Sequence, residues 1–365
     1  MTLPKTDKDY HNPPQDNTEY NPVCASKYNA SIDILSVLSD PLKQVMEVMH
    51  EACKNPNALI SETVANYIAM SGGKHLRPAL TIACYYISYP APTIPSFIDI
   101  NECIRTAATI EMLHNATLLH DDVIDASDVR RNRSTARKIW GNSISVLAGD
   151  FILSRALSLV TSTGNISVIN SVIKACENVA SGEIQQLSQL RNLNMTMEEY
   201  LSIITMKTGA LFATACHTGG ILADSDNPEH HNMLYTFGNN LGITFQITDD
   251  ILDYSGLSLI LGKNIGDDFK EGKVTLPVII AVSEASSAEK TFWERCFTAG
   301  KVNDDDFEQA LTILNSRGCL QRAEEYAFTY ANKAREALES FAHCASQEVF
   351  KSLSQLTEYC IRRKF

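Results

Sequence analysis

Apolar residues recur at helical spacing along most of the chain. The segment "LSVLSDPLKQVMEVMHEAC" places Leu35, Leu38, Leu42, Val45, Met46 and Met49 three or four residues apart. The segments "CIRTAATIEMLHNATLLHDD" and "MLYTFGNNLGITFQITDDILDYSG" continue this pattern, and the first contains neither glycine nor proline. Such spacing is typical of amphipathic helices. We therefore expect an all-α protein.

Strand patterns are rare, and no linker divides the chain. "VTLPVIIAV" is the best strand candidate, but its proline also suits the start of a helix. Residues 1–30 are rich in Pro, Asn and Asp, which predicts a polar, disordered tail. No Ser/Gly-rich stretch follows, so residues 31–365 should form one all-helical domain.

Composition narrows the class of protein. The formal net charge of −12 argues against non-specific binding to nucleic acid or to anionic membranes. The ten cysteines include no C-x-x-C pair, and in helical context they predict buried thiols of a reduced intracellular compartment. No apolar run approaches the roughly 18 residues of a membrane span. The expectation is a protein without a membrane span, by default in the cytoplasm.

Two D-D-x-x-D boxes, "DDVID" and "DDILD", each end a long apolar segment. On a helix, the first and last aspartates of a box lie one turn apart on one face. Mg²⁺ binds one or two carboxylates and completes its octahedron with water and phosphate oxygens. One box alone is typical of a solvated acidic helix end, but two boxes favour a metal–diphosphate site. An EF-hand is a poor alternative, because no D-x-D-x-D-G loop is present.

Cationic residues accompany the boxes. Lys74 and Arg77 follow two glycines in "SGGKHLRP", and Arg130 and Arg131 lie just beyond the first box. Further cations are Lys207, Lys263, Lys273 and the C-terminal Arg362, Arg363 and Lys364. Each alone is more often a solvated charge than a ligand. Together with the boxes they suggest two diphosphate sites, one bound through metals and one through bare cations.

Five segments resemble the trans-polyprenyl diphosphate synthase family in order and spacing: "GGKHLRP", "LLHDDVIDASDVRRN", "MKTGALF", "FQITDDILDY" and "GDDFKEGKVTLP". The similarity covers roughly residues 35 to 365. It implies the isoprenoid synthase fold, an all-helical bundle around a deep central cavity, and a homodimer. It also implies elongation of an allylic diphosphate, such as farnesyl or geranylgeranyl diphosphate, by repeated addition of isopentenyl diphosphate.

The resemblance assigns roles to residues. Metal ligands would be Asp121, Asp122, Asp125, Asp249, Asp250 and Asp253, binding two or three Mg²⁺, which Mn²⁺ can replace. All of these except Asp253, together with Lys207, would be catalytic. The allylic diphosphate would contact Arg130, Lys207, Thr208, Gln246, Lys263 and Lys273. Isopentenyl diphosphate would contact Lys74, Arg77, His114 and Arg131, with the basic C-terminus closing over it. His75 and Asn132 depart from the family pattern.

Product length should depend on the residues before the first box. Short-product members carry bulky aromatics where this chain has Ala116 and Thr117. These small residues predict a passage for the growing tail, with Leu113 and Met112 deeper and a floor at Phe151 or Leu153. The alternative is that Ala and Thr merely permit close helix packing. We expect eight to ten isoprene units, with solanesyl (nine) as the single best choice.

Other functions stay open at this point. A geranylgeranyl-size product is one alternative. A class I terpene cyclase would share the metals and the fold but has no need of a second diphosphate site. A non-catalytic partner subunit usually has degraded aspartate boxes, and both boxes are complete here. A long product is expected to serve as a quinone side chain and to be delivered to a membrane.

Overall fold

The computed structural model describes residues 33–57, 60–61, 63–64, 75–89, 100–130, 133–223, 226–255 and 266–362, which all lie in one compact unit, Ile32–Lys364. Sixteen α-helices and two π-helical turns account for most of this part of the chain. They are α1 Asp33–Val37, α2 Ser39–Ala52, α3 Leu76–Ile87, α4 Asn101–Ile124, α5 Ala136–Trp140, α6 Asn142–Thr161, α7 Ile166–Ser188, α8 Met197–Ile204, π1 Thr205–Gly209, α9 Ala210–Ala223, α10 Pro228–Asp253, α11 Asp267–Glu271, α12 Leu276–Ser283, α13 Ser287–Trp293, π2 Glu294–Thr298, α14 Asp306–Ser316, α15 Cys319–Glu339 and α16 Gln347–Arg362.

Strand structure in the described ranges is confined to one small hairpin. Strands β1 (Val129–Arg130) and β2 (Arg133–Ser134) pair antiparallel, with Val129 opposite Ser134. The prediction of an all-α fold is therefore confirmed. "VTLPVIIAV" forms helix α12, with Pro277 in its first turn, so the helical alternative for this segment is the correct one. The predicted tail, residues 1–30, lies outside the described residues.

Side-chain caps fix where several long helices begin. Asn227 accepts a hydrogen bond from the backbone N–H of His230, and Pro228 occupies the first turn of α10. Thr196 and Glu199 form a reciprocal capping box at the start of α8. These bonds satisfy N–H groups that have no partner within the helix. The caps thus set the ends of the two helices that carry part of the cavity wall.

Helix α10 connects two buried hydrophobic clusters. Its first half contributes Leu234 and Leu241 to a cluster formed mainly by the N-terminal helices. Its second half contributes Ile247 and Ile251 to a cluster formed by α8 and the helices from α12 to α15. Because α10 packs against both α9 and α15, it is held on two sides. The second aspartate box at its C-terminal end is therefore on a rigid element.

Glycines permit the closest helix contacts. A Cβ on Gly219 of α9 would lie 2.2 Å from the carbonyl oxygen of Thr81 on α3. A Cβ on Gly182 of α7 would lie 2.7 Å from the backbone nitrogen of Lys207 in π1. Real Cβ atoms do not approach other atoms so closely, so these contacts require glycine. The second contact brings α7 against the turn that carries Lys207.

The structure bears on two predictions from composition, that of buried thiols and that of no membrane span. Nine free cysteines are described, and all are buried except the half-buried Cys176, as expected for structural thiols. Helix α6 is long and apolar enough to cross a membrane by length and composition, and 33% of its most apolar 18-residue stretch is buried. The sequence-based expectation concerned an uninterrupted apolar run, which α6 does not contain, and the absence of a membrane span stays a prediction. Scattered polar residues such as Ser145, Asp150 and Arg155 obscured the apolar character of this helix.

Candidate active site

A cavity of about 1230 Å³ lies among α4, α7, α8, π1, α9, α10 and residues 267–275. Asp121, near the C-terminal end of α4, lines it together with Asp249 and Asp253 of α10. Leu113, eight residues before Asp121, also lines it, about 12 Å away along the helix axis. The cavity therefore has an acidic region at the ends of α4 and α10 and an apolar region beside the earlier turns of α4.

The first acidic box divides its side chains between the cavity and the protein interior. Asp121 lines the cavity, and loss of hydration raises its pKa from 3.8 to about 6. Lys207 opposes this rise in pKa, whereas the carboxylates of Glu183 and Asp125 add to it. A carboxyl that is buried with too little compensating charge favours the neutral form.

Asp122 differs from its neighbours in the box. It is fully buried, and its Oδ1 accepts a hydrogen bond of 2.8 Å from Nε of Arg130. The cavity wall includes Arg130 but not Asp122. The structure therefore places Asp122 behind Arg130 and not in the predicted position of a metal ligand. The reason is its 100° rotation from Asp121 around the helix.

Lys273 joins the first box to the segment after α11. Lys273 Nζ is 3.2 Å from Asp125 Oδ1 and 2.6 Å from Glu271 Oε2. Asp125 does not line the cavity itself, but Lys273 does. Burial alone would lower the pKa of Lys273, yet Asp268, Asp125 and Glu271 together raise it. The ends of α4 and the segment after α11 are thus joined across the acidic region.

The second box is supported by α11. Asp253 accepts hydrogen bonds from the backbone N–H groups of Asp267 at 3.2 Å and Asp268 at 3.1 Å. Burial nevertheless raises the pKa of Asp253 to about 6. Burial and the charge of Asp253 also raise the pKa of Asp268 well above its ordinary value. The cavity therefore holds more negative charge on this side than its own cations neutralise.

Asp250 lies in a hydrogen-bonded chain of buried side chains. Its Oδ2 accepts from Oη of Tyr200 at 2.6 Å, and its Oδ1 accepts from Nε2 of Gln246 at 2.7 Å. Oε1 of Gln246 accepts from Oγ1 of Thr208 at 2.7 Å. Burial raises the pKa of Asp250 to about 7, although the two hydrogen bonds lower it. Both carboxylate oxygens already have protein partners.

Lys207 projects from the π-helical turn π1. Its Nζ pairs with the carboxylate of Glu183 and donates to Oε1 of Gln186 at 2.6 Å. Both partners lie on α7, and all three residues line the cavity. Single π-helical turns within helices are frequent at functional sites. Here the turn places a lysine next to Asp121.

A metal ion would need ligands beyond the protein. Among the described residues, no group of three or more His, Cys, Asp and Glu side chains converges closely enough to hold a metal alone. The donor set nevertheless fits Mg²⁺, which needs few carboxylates when phosphate oxygens and water supply the rest. The raised pKa values of Asp121 and Asp253 show that added positive charge would be favourable there.

Two residues predicted to bind the second diphosphate, Arg77 and His114, lie on the cavity wall. Arg77 Cζ lies 4.7 Å from the ring centroid of Phe212. His75 adopts a positive φ of 41°, and its Nδ1 lies 3.1 Å from Oε1 of the buried Glu111. This pair attaches the start of α3 to α4.

Several predicted cations cannot be placed. Lys74, Arg131 and Lys263, as well as the family departure Asn132, lie outside the described residues. Arg363 and Lys364 also lie outside them. Helix α16 ends at Arg362, and Tyr359 near its end lines the cavity. The C-terminal helix thus reaches the cavity, while the predicted closure by its basic end stays a prediction.

The residues predicted to control chain length lie on α4 and α6, and on each helix one of them does not line the cavity. Leu113, Ala116 and Thr117 line the cavity as predicted, and Leu153 of α6 joins them. Two predicted residues do not line it: Met112 is fully buried in the core, and Phe151 packs against the same core. Side chains two positions apart on a helix are rotated by about 200° around its axis, so Phe151 and Leu153 face nearly opposite directions. Leu153 is therefore the candidate on α6.

Four further residues of the site were not predicted. Asp267 and Asp268 belong to "GDDFKEGKVTLP", where only the lysines were considered, although an adjacent acidic pair was visible. Glu183 was visible as the one acidic residue of "ASGEIQQLSQL". Tyr200 has no comparable signal, because a single tyrosine in a helix usually belongs to the core.

Comparisons with known proteins agree with this geometry. The family model described as polyprenyl synthetase matches residues 59–314. Octaprenyl diphosphate synthase of Escherichia coli is 36% identical over 306 residues, covering 80% of this chain and 91% of that protein. The all-trans-nonaprenyl-diphosphate synthase (geranyl-diphosphate specific) of Rhodobacter capsulatus is 34% identical, covering 89% of this chain and 96% of that protein.

A solved structure is also similar over most of the chain. The polyprenyl synthase from Caulobacter crescentus, crystallised with calcium and isoprenyl diphosphate, superposes with a TM-score of 0.84. It is 33% identical in sequence, and the match covers 92% of this chain and 98% of that one. The helical bundle described above is therefore the fold of known polyprenyl synthases.

Proposed function

Because the chain belongs to the polyprenyl synthetase family of prenyltransferases, we propose that it is a long-chain trans-polyprenyl diphosphate synthase with a product of eight to ten isoprene units. The observation that carries the long-chain assignment is the cavity wall beside Asp121. Ala116 and Thr117, one turn before this aspartate, line the cavity with small side chains. Leu113 continues the wall one turn further, so the apolar space extends past this level.

Product size in related proteins supports the same range. The names of the two similar synthases specify octaprenyl and nonaprenyl products. A second helix of the cavity wall, α7, presents Ala175, Val179 and Ala180 to the cavity. Small and apolar residues on α4 and α7 leave room for an extended hydrocarbon. Solanesyl diphosphate stays the best single choice, and a quinone side chain is its expected use.

The reaction suits a site with much charge, because it needs no nucleophilic side chain. The C–O bond of the allylic diphosphate breaks, and its electron pair leaves with the diphosphate. The C=C electrons of isopentenyl diphosphate form the new C–C bond, and the released diphosphate then accepts the proton whose loss restores a double bond. Asp121, Asp249 and Asp253 would hold Mg²⁺, which stabilises the charge that develops on the leaving diphosphate. Lys207 and Lys273 would bind its oxygens, while the apolar wall excludes water from the cation.

The binding of a divalent cation is part of the proposal. The Caulobacter crescentus structure contains calcium and isoprenyl diphosphate, which supports a cation–diphosphate pair at the equivalent place. Mg²⁺ and Mn²⁺ both accept carboxylate and phosphate oxygens. Arg77 and His114, which also line the cavity, would bind isopentenyl diphosphate without a carboxylate of the boxes.

A second copy of the chain would explain the exposed apolar residues of α5, α6 and α7. Ile139, Leu147, Ile166 and Ile173 are all exposed, with Leu147 at 62% and Ile166 at 67%. Exposed apolar patches of this kind commonly mark contacts between proteins. They also account for the incomplete burial of α6. We therefore propose that the enzyme is a homodimer.

Product analysis tests the function directly. Purified protein, MgCl₂, farnesyl or geranylgeranyl diphosphate and labelled isopentenyl diphosphate are incubated, and the dephosphorylated products are separated by reverse-phase chromatography and mass spectrometry. The proposal expects all-trans products of eight to ten units. Products that stop at three or four units would refute the long-chain assignment. Cyclic hydrocarbons formed without consumption of isopentenyl diphosphate would refute the synthase assignment.

A further inference from the structure

The hydrogen bonds around Asp250 form a chain whose direction follows from chemistry. An ionised carboxylate can only accept hydrogen bonds, so Tyr200 and Gln246 must both donate to Asp250. Because the amide nitrogen of Gln246 faces Asp250, its oxygen is left to face Thr208. The amide oxygen can only accept, so the hydroxyl of Thr208 must donate to it.

This direction determines which part of Thr208 faces the cavity. Thr208 is almost fully buried and lines the cavity. Its single hydroxyl hydrogen is occupied by Gln246, so the remaining lone pairs of Oγ1 are available to the cavity. A hydroxyl oriented in this way presents the negative end of its dipole, which stabilises positive charge in a water-free space.

Tyr200 is held rigidly at the other end of this series of hydrogen bonds. Tyr200 is 3% exposed, and its backbone N–H donates to the carbonyl of Thr196, the capping residue of α8. The reciprocal capping box of Thr196 and Glu199 fixes this first turn. The phenol therefore approaches Asp250 from a rigid element, and Asp250 itself is only 4% exposed.

We propose that Tyr200 is a positioning residue for chain elongation: it donates to Asp250, which fixes the amide of Gln246 and thereby turns the lone pairs of Thr208 toward the allylic cation. This inference rests on the proposed function, since it assumes that a cation forms in the cavity. In this role Asp250 orients the amide of Gln246, and the Mg²⁺ ions would be coordinated by Asp121, Asp249 and Asp253.

The test replaces Tyr200 with phenylalanine, which removes only the hydroxyl. Steady-state kinetics are measured at about pH 8 with saturating MgCl₂. We expect kcat to fall about 10-fold to 100-fold, as for the loss of one hydrogen bond to a charged group. KM for both diphosphates should stay within about twofold, because the hydroxyl that is removed already donates to Asp250 and is not available to a substrate.

A matched control separates positioning from general loss of packing. Tyr85 on α3 is also buried, at 4% exposure, and is not part of the cavity wall. Tyr85→Phe should therefore keep kcat within about twofold at any temperature below the melting transition. If Tyr200→Phe behaves like Tyr85→Phe while the natural enzyme makes long products, the inference fails and the proposed function stands.

A double-variant cycle tests whether the effect passes through Thr208. In a Thr208→Val background, Tyr200→Phe should change kcat by less than about twofold, because the chain no longer ends in a hydroxyl. If the loss of kcat in the double variant equals the product of the losses in the two single variants, the inference is overturned. If Tyr200→Phe does not fold, Thr208→Ser and Thr208→Val still decide: serine should retain kcat within about threefold and valine should not. Equal losses in both would overturn the inference.

Discussion

Asparagine at position 121 should stabilise the metal-free protein while abolishing its activity. The side chain has nearly the same shape as aspartate but carries no charge. Burial raises the pKa of Asp121 from 3.8 to about 6, so the folded protein favours the neutral form. A difference from 3.8 to about 6 corresponds to about 3 kcal/mol of destabilisation once the group is ionised in both states.

The sign of the pH dependence follows from the raised pKa. A carboxyl whose folded pKa exceeds its unfolded pKa contributes fully to stability below about 3.8, and this contribution is lost as pH rises through about 6. Compared with the natural protein, Asp121→Asn should therefore be about 3 kcal/mol more stable at about pH 7.5. At about pH 5 the advantage should be about half as large.

Thermal unfolding in EDTA measures this effect. With about 2 cal/mol/K per residue over about 330 folded residues, 3 kcal/mol raises Tm by about 4 °C. A suitable control is Asp128→Asn, since Lys138 and Arg137 lower the pKa of that exposed carboxyl and its removal should bring no such gain. MgCl₂ with inorganic diphosphate should then stabilise the natural protein by about 2.7 kcal/mol at a hundredfold excess over Kd, and the variant by less.

Two results would refute this reasoning about Asp121. One is a variant that is less stable than the natural protein in EDTA at about pH 7.5. The other is an equal gain in Tm at both pH values, because a burial penalty on charge must shrink as the carboxyl is protonated. In either case Asp121 would already be well compensated, and the cavity would have no deficit for a divalent cation to fill.

Three further changes test the metal site, the tail passage and the dimer. Asp249→Ala should lower kcat/KM by about a hundredfold or more with an unchanged circular dichroism spectrum, whereas near-normal turnover would exclude a metal ligand there. Ala116→Phe should shorten the main product by several isoprene units, as mass spectrometry will show, while Met112→Leu should not; unchanged products in the first variant would mean that the tail runs elsewhere. Leu147→Glu should give monomers in light scattering because it buries a charge, whereas Val302→Glu, at another exposed position, should not; a stable Leu147→Glu dimer would place the interface elsewhere.

Helical periodicity was enough to predict the fold class, because burying one face of a long helix is a local property of the sequence. The two aspartate boxes were predictable for a similar reason, since their spacing fixes which carboxylates share a face. Spacing does not show which neighbour a helix face contacts. Asp122 pairs with Arg130, and Leu153 rather than Phe151 reaches the cavity, because each helix is rotated by packing against its neighbours.

Contacts between distant segments were not predictable from spacing. Lys273 reaches Asp125 across 148 residues, and Tyr200 reaches Asp250 across 50. Neither pair has a local pattern, since nothing in the sequence near Tyr200 indicates which helix its hydroxyl will meet. The acidic residues of α11 were missed for the same reason, because their closeness to Asp253 depends on the turn that leads from α10 to α11.

The lysines of the cavity explain how so much negative charge is tolerated before a substrate binds. Lys207 pairs with Glu183, and Lys273 pairs with Asp125 and Glu271, so each lysine neutralises carboxylates that would otherwise repel one another. A diphosphate alone would draw the lysines away and leave those carboxylates uncompensated. Divalent cations alone, held by Asp121, Asp249 and Asp253, would repel the nearby lysines. With both bound, the cations would replace the positive charge that the lysines withdraw from the carboxylates, so we expect the charge of the site to favour joint binding of metal and diphosphate over either alone.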